Sequence, residues 1–197
     1  MPKELLHPYC RYVVSIVDIH DVDKIYHDNH YGVPIKDGNE LFGRLVMEIN
    51  QAGLSWRTIL IKEKGFRKAY HNFDIKKVAK YGEKDFKRLM NDASIIRNRL
   101  KINAAIYNAQ QILLLQKEYG SFRAWIDVQG RGAKSDEDIV SQQASIKKIR
   151  KEMLKNDWLE LFKKHFKFVG GEIVGEFLMS INILPGSHDK RCSKYRF

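Results

Sequence analysis

"NDASIIRNRLKI", residues 91–102, decides the fold. Before it lies "EKDFKRLM" (83–90), a short amphipathic helix. After it "RLKINAAIYNAQQILLLQKEYG" (99–120) predicts a long helix, with Ile102, Ile106, Ala109 and Leu113 on one face and Gly120 at its end. A short helix, a tight connection and a longer helix have the outline of a helix-hairpin-helix over about 85–118. Such an element presents backbone N–H groups to a phosphate at the start of its second helix. Ser94, Ile95 and Ile96 would form the turn here, with Arg97, Arg99 and Lys101 as counter-charges, and Ser94 sits where a glycine is usual. Many helical hairpins bind nothing, so the outline leaves a purely structural reading open.

The signal around this stretch is helical almost throughout. In "DGNELFGRLVMEINQAGLSW" (37–56), Asp37 or Asn39 can cap a helix whose apolar positions Leu41, Phe42, Leu45, Val46, Ile49 and Ala52 form one stripe, stopping at Gly53. Shorter helices are predicted at "SFRAWI", "SIKKIRKEML", "DWLELFKKHF" and "GEIVGEFLMSIN", with "QGRGAKSDED" (129–138) as the loosest connection. "YVVSIV" (12–17) is the one run that reads as a possible strand. There is no repeat, and the prolines mark no linker, so the expectation is a single all-α domain.

The 197 residues, 44% hydrophobic and 30% charged, suffice for one core. No apolar run of about 18 residues and no signal-peptide pattern appear, so a cytoplasmic protein without a membrane span is expected. Two cysteines argue against a disulfide framework and leave metal binding or plain burial. The net charge of +11 is unevenly placed. Residues 1–56 carry 5 basic and 8 acidic groups, residues 57–102 carry 14 and 5, and residues 145–168 carry 8 and 3. Positive charge gathered in blocks suits a polyanion such as nucleic acid, although a lysine-rich solvated face reads the same way.

Three features can carry chemistry. Glu48 falls beside Leu41 and Ala52 on the flank of the apolar stripe, where an unpaired carboxylate is expensive unless it is protonated, paired or facing a ligand cavity. Tyr9, Tyr12, Tyr26 and Tyr31 precede that helix and Trp56 follows it, which fits either a stacking platform for a flat ring or ordinary core packing. His188 and Cys192 stand four apart near the end of the chain, while Cys10 lies near its start and His27 sits among polar neighbours. Spacing alone leaves both histidines open between ligand and surface roles.

Read together, these stretches resemble the 3-methyladenine DNA glycosylase I family. "YHDNHYGVP" (26–34) is similar to its YHDxEWGxP block, "INQAGLSW" (49–56) to QQAGLSW and "DASIIRNRLKI" (92–102) to DAGIIRxRxKI, and "FKFVG" (166–170) is shared. The similarity runs from Tyr26 to Cys192 and is weakest between about 120 and 160. It implies a helix-hairpin-helix glycosylase bundle over 1–197 that acts as a monomer on alkylated double-stranded DNA. The implied reaction flips out 3-methyladenine and hydrolyses its N-glycosidic bond, leaving an abasic site without strand cleavage. The resemblance further implies a structural zinc on Cys10, His27, His188 and Cys192 that joins the two terminal segments. In the base pocket it places Glu48 as the catalytic and base-reading carboxylate, with Tyr26 and Trp56 as base contacts. Tyr12 and Tyr31 stand where the family usually has tryptophan, and Asp23 where it tends to have a tyrosine. Two further readings are a DNA-binding protein that keeps the hairpin and zinc without catalysis, and a hydrolase with an open zinc site.

Overall fold

The computed structural model describes residues 7–131 and 144–195, with side chains over 7–130 and 155–195. Among these residues there are ten helices and no strand. Several are set by side-chain caps that the sequence carries just ahead of them. Asp21 accepts from the Asp23 N–H at the start of α2 (Val22–Asn29), and Asp37 from the Glu40 N–H at α3 (Gly38–Gln51). Ser55 does the same for α4 (Trp56–Ala69), and Asn98 takes two N–H groups at α7 (Arg99–Tyr119). Asn39, the alternative cap of α3, instead accepts from the Ile75 N–H and ties α3 to the short α5 (Ile75–Val78).

α3 is the central helix. It packs against α4 and α7, and also against α8 (Phe122–Arg131) and α10 (Gly171–Ser180). Phe42, Leu45 and Ile49 meet Ile102, Ala109 and Ile112 of α7, Trp125 of α8 and Phe177 of α10 in a core where each is at most 1% exposed. Each buried Leu, Ile or Phe side chain among them contributes about 1.5–3 kcal/mol by leaving water. α9 (Ala144–His165) covers α10 and adds Phe162 to this core. The predicted "SIKKIRKEML" and "DWLELFKKHF" helices are one continuous helix, because no glycine or proline separates them.

The "YVVSIV" run is not a strand. Its first three residues close α1 (Pro8–Val14), which a proline starts and which turns Cys10 and Val13 inward. Val17 beyond it is 94% exposed. α4 and α5 emerge only in the structure, where α4 buries Ile59, Leu60, Phe66 and Ala69 and α5 buries Ile75 and Val78. In the "QGRGAKSDED" stretch, residues 132–138 lie outside the described residues. No helix among the described residues is long and apolar enough to cross a membrane.

The α6 (Glu83–Asn91)–turn–α7 unit follows the predicted outline. Asp92 builds the turn by accepting from both the Ser94 N–H (2.8 Å) and hydroxyl (2.6 Å). α4 presses close behind it: a Cβ added at Gly65 would stand 2.4 Å from the Ser94 carbonyl oxygen, so only glycine permits this approach.

Candidate active site and metal cluster

The loop between α3 and α4 and the segment ahead of α3 meet over a cavity of about 270 Å³. Its aromatic wall is Tyr26, Tyr31 and Trp56, with Tyr9 contributed by α1. The Tyr26 and Trp56 rings lie 5.0 Å apart, Tyr26 and Tyr31 5.6 Å, and Tyr9 stands edge-on to Tyr31 at 5.7 Å. Positive φ at Gly53 lets the chain turn sharply between α3 and Trp56. The Trp56 indole N–H is buried and has no hydrogen-bond partner among the described residues, an orphan donor in the wall of a ligand-sized space.

Two carboxylates line this cavity, Glu48 from α3 and Glu176 from α10. Glu48 is 3% exposed. Burial pushes its carboxyl up to about 8, with the Arg44 charge pulling it down and Glu176 pushing it further up. Arg44 donates from Nη1 to the Tyr26 hydroxyl at 2.6 Å and lies over the same ring, 4.8 Å from its centroid. Burial raises the Glu176 carboxyl as well, and the Tyr31 hydroxyl, which donates to its Oε2 at 3.2 Å, partly offsets this.

Tyr12 lies outside the cavity lining, 46% exposed and stacked on Tyr9 with ring centroids 6.4 Å apart. Asp23 explains this arrangement. It is 2% exposed, pairs with Arg57 at 2.7 Å, and accepts from the Tyr9 hydroxyl at its backbone oxygen (3.3 Å) and Oδ1 (3.4 Å). Where a tyrosine would be expected at position 23, a buried aspartate holds Tyr9 at the cavity instead.

On the α6–α7 turn, Ser94, Arg97 and Arg99 are exposed and Ile95 is buried as the anchor, with Ile96 partly buried beside it. Arg99 lies over the Phe86 ring, 5.1 Å from its centroid. Lys101 points the other way. It is 4% exposed, and its Nζ donates to the Asn50 and Ala52 carbonyl oxygens at 2.9 and 2.6 Å. It therefore satisfies the open end of α3 and pins the loop leading to Trp56. The "FKFVG" stretch is held to α7 by a reciprocal pair: Asn108 donates to the Lys167 carbonyl oxygen at 3.1 Å and accepts from the Lys167 N–H at 2.8 Å.

Beneath the aromatic wall, Cys10, His27, His188 and Cys192 come together with all four donor atoms within 4.8 Å of one another, a group that can hold a metal ion. His27 Nε2 is 3.4 Å from Cys10 Sγ, 3.7 Å from Cys192 Sγ and 3.2 Å from His188 Nδ1. His188 Nδ1 is 3.8 and 3.7 Å from the same two sulfurs. The outer nitrogens fix the tautomers: His27 Nδ1 meets Asp28 Oδ1 at 2.7 Å and His188 Nε2 meets the Tyr31 carbonyl oxygen at 2.9 Å. Both inner nitrogens thus face the sulfurs as acceptors.

The model of the methyladenine glycosylase family matches residues 17–195. The chain belongs to that family. It is 37% identical over 174 residues to DNA-3-methyladenine glycosylase 1 of Escherichia coli, covering 86% of this chain and 89% of that protein. With DNA-3-methyladenine glycosylase of Haemophilus influenzae it shares 32% over 161 residues, 81% of this chain and 85% of that one. A structure of 3-methyladenine DNA glycosylase I from Staphylococcus aureus superposes with a TM-score of 0.73 at 30% identity, over 94% of this chain and 96% of that chain. In this chain the matched span holds Tyr26, Glu48, Trp56, the α6–α7 turn, His188 and Cys192, while Tyr9 and Cys10 lie on α1 ahead of it.

Arg44 and Glu176 are the candidate-site residues that sequence reasoning missed, and Tyr9 was singled out there only as one of four clustered tyrosines. Glu176 carried a usable signal, a carboxylate in the otherwise apolar "IVGEFLM", the same anomaly that marks Glu48.

Proposed function

We infer that this chain is a DNA-3-methyladenine glycosylase that hydrolyses the N-glycosidic bond of 3-methyladenine in alkylated double-stranded DNA. The observation that carries the reading is Glu48, a carboxylate buried in an aromatic-walled cavity of a methyladenine glycosylase chain. A base alkylated at N3 carries positive charge and is already a good leaving group, so recognition and placement supply most of what the reaction needs. The base leaves the duplex first, at an expense of a few kcal/mol that is least for a damaged base. Within the cavity Tyr26 and Trp56 offer ring surface, and the Trp56 N–H offers its unmatched donor. Glu48 accepts from the exocyclic amine and its charge complements the cationic ring. Neutral adenine gains less. As the glycosidic bond breaks, its electron pair goes to the base and an oxocarbenium-like sugar is left, which water captures to give the abasic site. No lysine lines the cavity among the described residues, which supports hydrolysis without a Schiff base or strand cleavage.

On the DNA side, the α6–α7 turn is assigned to a phosphate through the Ile96 N–H, with Arg97 and Arg99 as counter-charges, because the Ser94 and Ile95 N–H groups are engaged by Asp92. Lys101 is reassigned from phosphate contact to positioning of the Trp56 loop.

The Cys10, His27, His188 and Cys192 cluster is assigned to a structural zinc. A tetrahedral ion with bonds of about 2.3 Å to sulfur and about 2.0 Å to nitrogen sets its donors roughly 3.3 Å apart between nitrogens and roughly 3.5 Å between nitrogen and sulfur. The separations of 3.2 Å and 3.4–3.8 Å here fit that requirement. Four protein donors leave no position for substrate, so the bound ion would supply cross-linking and charge neutralisation for the thiolates. Its residues join α1, α2 and the segment after α10, and so hold Tyr9, Tyr26 and Tyr31 in one wall. The whole chain is taken to work as one monomeric domain.

The test is release of free 3-methyladenine from methylated duplex DNA by purified protein. Release supports the reading. Duplex binding without release would replace it with the non-catalytic DNA-binding alternative.

A further inference from the structure

We propose that Glu176 is a specificity-determining carboxylate of the base pocket, reading the positive charge of an N3-alkylated purine from α10 while Glu48 reads it from α3. The inference rests on the glycosylase reading above. α3 and α10 pack directly against each other and bring both carboxylates to one cavity. Neither makes an ion pair, although eleven Lys or Arg ion pairs with carboxylates are formed elsewhere among the described residues. Arg44, whose charge reaches Glu48, lies outside the cavity lining and is directed at the Tyr26 hydroxyl and ring, and the one basic side chain in the lining among the described residues is His7, whose charge reaches Glu176. Lys155, whose charge reaches Glu176, is paired with Glu172 at 2.9 Å.

Two carboxylates at one cavity, Glu48 buried and Glu176 half-buried, resist ionising together, so each gains when something positive enters between them. Most of the remaining lining is aromatic, Tyr9, Tyr26, Tyr31 and Trp56 beside His7, Pro8 and Gln51, which favours a flat cation over a hydrated metal or an ammonium. Tyr31 fixes the second carboxylate: its hydroxyl donates to Glu176 Oε2 at 3.2 Å, while its backbone carbonyl accepts from His188. Glu176 is thereby held in place from the metal cluster through one residue. A neutral purine has nothing to offer this carboxylate. A cationic one gains a second Coulomb partner that Glu48 alone does not provide.

The experiment compares two probes on the intact protein: 3,9-dimethyladeninium, which is permanently cationic, and neutral 3-methyladenine. Affinities are read by calorimetry for wild type, Glu176→Gln and Tyr31→Phe. Wild type should favour the cation by at least about tenfold. Glu176→Gln, isosteric and without the titrating carboxylate, should lose about tenfold in cation affinity and keep its affinity for the neutral base within about twofold. Tyr31→Phe, which leaves the ring and frees the carboxylate, should fall between the two. If Glu176→Gln fails to fold, Glu176→Ser takes its place with the same expectation. An unchanged preference in the Glu176 variants, or equal loss for both probes, overturns the proposal. Release of 3-methyladenine from methylated DNA by wild type is run alongside. Wild type that releases base while the variant keeps its cation preference overturns this inference alone, and wild type that releases none overturns the parent reading too.

Discussion

Replacing Glu48 with glutamine should make the protein more stable as the pH rises, at the expense of base excision. In the unfolded chain the carboxyl ionises near its ordinary 4.5, and in the fold burial pushes it up to about 8. Between those values the native state holds one more proton than the unfolded state, so the slope of stability against pH is negative. The stability contributed by the protonated group is fully present below 4.5 and is lost as pH rises through about 8. At about 1.4 kcal/mol per pH unit, the interval from pH 5.5 to 8 amounts to roughly 3 kcal/mol. Glutamine keeps the shape and does not titrate. Urea unfolding of both proteins at several pH values isolates the effect, because every other titrating group is common to the pair. The stability of Glu48→Gln relative to wild type should therefore climb by roughly 3 kcal/mol between pH 5.5 and 8. A difference that stays constant, or moves the other way, would refute the claim that this carboxylate is buried at the expense of stability.

The remaining predictions concern the clasp and the DNA face. Cys192→Ser should lower bound metal, melting temperature and excision together, with several kcal/mol lost from the fold; unchanged thermal stability would count against the clasp. A chelator should destabilise the fold before or together with loss of turnover, whereas an open catalytic zinc would lose turnover first. Lys101→Met leaves two carbonyl oxygens at the end of α3 without their donor, and should reduce stability by about 1–3 kcal/mol as measured by denaturant titration. Its DNA affinity should keep the wild-type salt dependence, whereas Arg97→Ala should reduce the slope of log K against log salt by about 1.

Sequence and structure agree most closely where one residue conflicts with its local pattern. Glu48 was legible because a carboxylate on an apolar helical stripe demands a reason, and the cavity supplies it. Glu176 posed the same question on α10 and was not asked. Tyr9 stood in a crowd of tyrosines, and spacing cannot say which of them converge. That depends on Asp23 and Arg57, which meet from helices 34 residues apart in sequence. Lys101 looked like a phosphate contact since it starts α7 in a basic block. Its direction is set by how that helix docks on the end of α3, a tertiary fact with no local signal. The four cluster residues span nearly the whole chain, so only the family blocks brought them together in advance, whereas the α6–turn–α7 unit is local and was readable from its periodicity. α9 is continuous because nothing in its sequence breaks it, and α4 emerged only in the structure.

The central claim is that a buried carboxylate in an aromatic cavity reads a cationic base and promotes its departure. It is tested most directly by following 3-methyladenine released from methylated duplex DNA by wild type and Glu48→Gln, with intact strands verified on a denaturing gel. The account predicts release by wild type, abasic sites without nicks, and a rate about 100-fold lower for Glu48→Gln. Base retained in the DNA by wild type, or release by Glu48→Gln at the wild-type rate, would contradict it.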